Sequence, residues 1–265
     1  ALLQAGKFND ALDSLLSWLK ETEEMVQNQK SPSTDYKVVK AQLQEQKFLM
    51  KMLDDRESSV KSAKQLAENL QKNLDSREQK AIQNQSAQLQ QRWDVLRQNA
   101  ANRLDKLEDV VGLARDYQEV RDPLSQWLDV AEKKFAALEP SAMDTEGIEN
   151  IITSLKDMEQ DVANQEYNFV NLSDKAKNLQ KYCTGPDAEA LEKKTTNYES
   201  RFSDLRNKVS DSAEQMEEAL PLAKNFNEAH AKFLDWVLTV EPQLRAKEAT
   251  GPEAFEQVQN FVEKL

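Results

Sequence analysis

Chemistry needs reactive side chains, and this sequence holds few: one histidine, His230, one cysteine, Cys183, and acidic pairs such as Asp54–Asp55. A metal site or a general base needs several such groups at set spacings. The chain has no HExxH, no CxxC and no glycine-rich phosphate loop. Asp54–Asp55 stands beside Arg56 on an expected helix face, without the glycine-containing loop that calcium coordination uses. A lone cysteine cannot build an internal disulfide and fits a reducing cytoplasm. No catalytic, cofactor-binding or metal-ligating set follows, and no enzyme is expected.

The elements available to position any site are helical. Ala, Leu, Lys, Glu, Gln and Asp dominate, and only 5 Gly and 7 Pro interrupt them, a mix that favours long helices. At 39% hydrophobic and 31% charged, the chain has enough apolar content to bury cores. A net charge of −12 argues against nucleic acid or an anionic membrane as a partner, because both attract clustered cations. There is no apolar run of ~18 residues to span a bilayer, and the opening ALLQAGKFND lacks the basic start and apolar core of a signal peptide.

Three tryptophans, Trp18, Trp127 and Trp236, follow one another at intervals of 109 residues. A spacing kept twice marks an internal repeat. Shifting the chain by that interval places Phe8 on Tyr117 and Phe226, Leu15 on Leu124 and Phe233, and Leu19 on Leu128 and Val237. These steps of three and four define one stripe of a first helix. A second helix follows the breaks QKSPSTD (29–35) and LEPSAMD (138–144), pairing Val39 with Ile148, Leu53 with Val162 and Val60 with Phe169. A third follows LDSREQK (74–80) and CTGPDAE (183–189), pairing Leu89 with Tyr198, Trp93 with Phe202 and Leu96 with Leu205.

Three amphipathic helices per repeat, joined by short loops, predict an all-α fold of tandem three-helix coiled-coil bundles. Residues 102–120 contain no Ser/Pro/Gly cluster, so each third helix is expected to run on into the next first helix. Bundles stacked through such near-continuous linker helices make a rod, about 100 Å long for two repeats at 1.5 Å per residue. Trp18 with Trp93, and Trp127 with Phe202, are expected to fill one core layer of each bundle, with Trp236 beginning the same layer of a third. Under this register His230 aligns with Leu12 and Arg121, a variability unsuited to a catalytic base, and Cys183 aligns with the stripe residue Leu74.

The period near 109, the tryptophan of the first helix and the aromatic of the third resemble the spectrin repeat. The segments GKFNDALDSLLSWLKETEE (6–24) and DYKVVKAQLQEQKFLMKMLDDR (35–56) further resemble the rod of the spectraplakins, the family of microtubule–actin crosslinking factor and dystonin. That resemblance implies a non-catalytic, cytoplasmic segment of a giant cytoskeletal linker, a spacer and elastic element without cofactors. It implies actin and microtubules as partners of other parts of the parent protein, and junctional or adaptor proteins as candidates for direct contact.

The expected boundaries are 1–109 for the first repeat, 110–218 for the second, and 219–265 for the first helix and the start of the second helix of a third. Gly112 at one junction aligns with Pro221 at the other. A proline inside a helix is the more disruptive by far, so Gly112 and Pro221 are candidate hinges and the second is expected to bend more. The alternative is that Pro221 opens a new helix after a short break. Pro123 either kinks its helix or follows a restart capped by Asp122.

One asymmetry points to binding. Phe48, Met50 and Met52 align with Asp157, Glu159 and Asp161. The three apolar residues either pack on their own bundle or form a partner-docking patch, the feature of an interaction platform as opposed to a spacer. Long apolar faces beyond the bundle core, which dimers need, appear only locally, so a monomeric rod is expected.

Overall fold

The computed structural model describes residues 2–72, 74–138, 145–246, 256, 259, 260 and 262, and their side chains except at 2–5 and 243–246. Five helices account for almost all of these: α1 (Leu2–Gln27), α2 (Tyr36–Gln71), α3 (Ser76–Ala136), α4 (Thr145–Gln180) and α5 (Pro186–Ala246). There is no strand among the described residues.

Local chemistry sets the helix starts. Asp35 sits in extended backbone (φ −81°, ψ 123°) and its carboxylate accepts from the Lys37 and Val38 amides at 2.8 and 3.2 Å, capping α2. Asp75 does the same for α3, accepting from the amides of Arg77 and Glu78 at 2.9 and 2.8 Å. Before α5, Gly185 adopts φ +73°, where a side chain would be strained, and Pro186 occupies the first helical position, where no amide is needed.

The burial pattern follows the repeat closely. The nine buried residues of α2 are Val39, Leu43, Gln46, Leu49, Leu53, Val60, Ala63, Ala67 and Leu70. Each has a buried counterpart 109 residues on: Ile148, Ile152, Leu155, Met158, Val162, Phe169, Leu172, Ala176 and Leu179. Phe8, Leu12, Leu15 and Leu19 of α1 and Leu89, Trp93, Leu96 and Ala100 of α3 close the first core around α2.

The described chain gathers into two compact units, 1–128 with 165–202, and 129–164 with 203–265. Within the first unit the buried stripe of α3 passes through Leu107, Val110, Ala114 and Tyr117 without a gap. Within the second, α5 is buried at Val209 and Ala213, but Phe226, the counterpart of Phe8 and Tyr117, is 69% exposed.

The two proline alternatives resolve. Pro221 lies inside α5 and Pro123 inside α3, so neither begins a helix after a break. Asp122 caps no restart; its carboxylate is held by Arg121 and by Gln118 Nε2. Pro140 and nearly all of 247–265, where the second helix of a third repeat was expected, lie outside the described residues.

Candidate functional site

The residues with chemical potential are dispersed. His230 is exposed, and its ring lies parallel to that of Phe226 with centroids 6.0 Å apart. Cys183 is buried in the loop before α5, and burial pushes its thiol above the usual range, which keeps it protonated and unreactive. Asp54 pairs with Arg97 at 3.0 Å, and Glu57 joins the same guanidinium and Lys61. A hydrogen bond from Lys61, then one from Arg97, holds the Glu57 carboxyl below its ordinary value. Among the described residues no cluster of three His, Cys, Asp or Glu could hold a metal ion.

The aromatic layers are built as follows. Trp18 and Trp93 lie 6.2 Å apart, Trp93 buried and Trp18 half-buried beneath the guanidinium of Arg56 at 5.4 Å. Trp127 is also half-buried and lies 6.2 Å from Phe202. Phe169, from the position held by Val60 in the first copy, stacks on Phe202 at 4.1 Å and makes this layer a triad. Trp236 is half-buried, 5.9 Å from Phe233.

Around the suggested docking patch, α2 presents three different environments. Phe48 is 65% exposed, whereas Met50 and Met52 are half-buried and Met50 packs against the core. At the junctions, Gly112 sits in the helical run of α3 with open space where a Cβ would point, and Pro221 is exposed on α5. The first junction also carries polar braces: the hydroxyls of Ser31 and Thr184 are 3.0 Å apart, Thr34 donates to the Asp187 carbonyl at 3.4 Å, and Arg103 donates to the Lys30 carbonyl at 2.8 Å.

Sequence reasoning passed over the buried polar pairs. Gln46 is fully buried, donating to the Ala100 carbonyl at 2.8 Å and accepting from Gln29 at 2.9 Å. The buried Tyr117 hydroxyl meets Thr195 at 3.1 Å, and Thr195 donates on to Leu191. The signal was available, because Gln46 occupies a stripe position and a buried amide there requires partners.

The chain matches the sequence model of the spectrin repeat twice, over residues 3–109 and 113–218. It is 34% identical to human microtubule-actin cross-linking factor 1, isoforms 6/7, over 264 residues, all of this chain and 8% of that protein. The corresponding mouse isoforms 6/7 are 35% identical over 244 residues, 92% of this chain and 7% of theirs. The rat microtubule-actin cross-linking factor 1 is 35% identical over 246 residues, 93% of this chain and 4% of its own length. The chain thus spans under a tenth of the relatives it matches. Doubly matched and helical at the stripe positions of both copies, the chain belongs to the spectrin-repeat family, and throughout its length it is similar to the spectraplakin cross-linking factors.

Proposed function

We propose that this chain is a length of structural rod in a cytoskeletal linker, serving as spacer and elastic element between actin- and microtubule-binding ends. The observation that carries this reading is the continuity of α3 and α5. Each runs 61 residues, about 90 Å, through the place where one repeat passes into the next. A shared helix transmits tension directly from bundle to bundle, and unwinding it lengthens the rod. On this reading residues 1–109 and 110–218 are complete repeats, 219–265 begins a third, and the rod works as a monomer in the cytoplasm. Gly112 and Pro221 are its two joints, with Pro221 the softer, since it removes a helical hydrogen bond.

Nearly every buried apolar residue serves a bundle core, which supports a structural role over a catalytic one. The relatives are named for cross-linking microtubules and actin; in this chain's parent, filament binding is assigned to other segments. Co-sedimentation with actin filaments, and separately with microtubules, tests the reading across a salt series. The chain should stay in the supernatant near physiological salt, and pelleting there would overturn a pure spacer role.

The exposed Phe48 favours a second role alongside the first, as a platform recruiting a cytoskeletal or junctional protein through α2. Replacing Phe48 and Met52 together by Asp separates docking from packing. Unchanged melting with lost binding assigns the pair to docking, and a melting point lower by several degrees assigns it to the core.

A further inference from the structure

The edge of α2 beside Phe48 carries more than one exposed aromatic. Val38, Ala41, Phe48 and Met52 recur at heptad-compatible steps of three, seven and four, interrupted only by Glu45. This seam is separate from the core stripe of α2: Val38 is 48% and Phe48 65% exposed, and Met52 is half-buried. Helices that bury one seam need no second one, so a second seam is spare packing capacity.

The neighbouring edge belongs to α1. Arg56 of α2 lies over Trp18, which identifies the flank of α1 that faces α2. Met25, 47% exposed, stands two turns beyond Trp18 on that flank. The two helices therefore border a groove with apolar residues on both sides. In the second repeat the counterparts of Met25, Val38, Ala41, Phe48 and Met52 are Lys134, Gly147, Asn150, Asp157 and Asp161. The bundle does not require the apolar set, since the other copy folds without it.

Charge indicates what fits. From Tyr36 to Met52, α2 has four lysines and one acidic residue, in a chain of net charge −12. Lys37 and Lys51 are exposed and four turns apart on the Phe48 side, so the α2 edge of the groove is basic, while Glu21 stands on the α1 edge. A helix laid in a groove is held by apolar residues at three- and four-residue steps and oriented by flanking charge.

We propose that the groove between α1 and α2 of the first repeat docks a partner helix bearing an apolar seam with acidic flanks. The inference rests on the platform reading of Phe48 and adds the chemistry of the partner. An anionic membrane would also meet lysines and phenylalanine. The three-, seven- and four-residue steps match the seam of a helix, which a flat bilayer surface does not demand.

The test uses the full chain and two synthetic helical peptides with the same leucine seam, one flanked by Glu and the other by Lys. Fluorescence anisotropy near 150 mM salt should show the Glu-flanked peptide binding about tenfold tighter or better. Phe48→Asp should weaken it about tenfold or more, with melting unchanged because the residue is exposed. Lys37→Glu with Lys51→Glu should weaken it severalfold, while Phe233→Asp, on the exposed stripe of α5, should not. Equal or tighter binding of the Lys-flanked peptide through Phe48 would overturn the acidic partner and leave the platform reading standing. If Phe48→Asp changes neither peptide's binding, both readings fall. Sedimentation with phosphatidylserine vesicles, lost in Phe48→Asp, would assign the face to a membrane and overturn the inference.

Discussion

At one level of the first repeat two amides meet: the half-buried Gln29 donates to the buried Gln46, which donates to the Ala100 carbonyl. At the same level of the second repeat stand Leu138 and Leu155, the latter buried. A second exchange runs the other way. Phe8 and Ser86 in the first repeat become Tyr117 and Thr195 in the second, and the two hydroxyls meet at 3.1 Å. Gln29 and Gln46 give way together to two leucines, whereas Ser86 already carries a hydroxyl and the second repeat adds only that of Tyr117, which meets Thr195. A single buried amide or hydroxyl forfeits its bonds to water with no replacement, at a cost of about 1–3 kcal/mol, whereas a matched pair is nearly neutral. The bundle fixes which positions are inside and leaves their chemistry free, provided each buried polar group finds a partner.

The aromatic layer should give the largest effect. Trp93→Ala removes a buried ring with one aromatic partner, and about 3–5 kcal/mol of stability is expected to go with it. Chemical denaturation would measure this, and Phe202→Ala should fall in the same range despite its two partners. A loss below about 1 kcal/mol at either site would mean that the layer is not shared between the repeats.

The junctions should differ next. Pro221→Ala restores an amide to α5 and is expected to stabilise that stretch by up to about 3 kcal/mol, against about 1 kcal/mol for Gly112→Ala. The glycine site has room for the added methyl. Hydrogen exchange across each junction should slow in that order, and equal protection would remove the distinction between the two hinges.

The requirement for a partner can be broken deliberately. Leu155→Gln alone should destabilise the second repeat by roughly 2–4 kcal/mol, because it removes apolar packing and buries an amide beside Leu138. The double change Gln29→Leu with Gln46→Leu should alter the first repeat by less than about 1 kcal/mol. Thermal melts of the two variants sharpen the contrast, and a severe loss in the double variant would contradict it.

The smallest effect is electrostatic. Lys61, which bonds Glu57 in the first repeat, is replaced by Val170 in the second. The folded pKa of Glu57 is depressed, so its contribution is full above the unfolded value near 4.3 and is lost as pH falls through the folded one. Glu57→Gln should therefore melt slightly below the parent at pH 7, and the gap should close as the pH is lowered through the folded value. Solvent screening keeps the difference small.

The interval of 109 residues, the helical stripes and the loop positions were all legible as sequence, because a helix buries every third or fourth residue whatever its neighbours are. Register names Val39, Leu43, Leu49, Leu53, Val60, Ala67 and Leu70 of α2 and turns Phe48 outward, while the buried Gln46 and Ala63 were passed over. The fate of Pro123 and Pro221 could not be read in the same way. A proline disfavours a helix locally by about 3 kcal/mol, and only flanking turns fixed by packing decide whether the helix runs through it.

The candidate docking face divides along the same line. The apolar replacements at Phe48, Met50 and Met52 are visible in a self-alignment, and helical phase alone turns Phe48 further outward than the two methionines. Tertiary structure returns Met50 to the core and leaves Phe48 in water. It also sets Met25 on the flank of α1 that faces α2, through the contact of Arg56 with Trp18. Periodicity along one chain determines the buried face of each helix. Which residues of two different helices border one groove depends on their axial offset, and that offset is set only when the cores interlock.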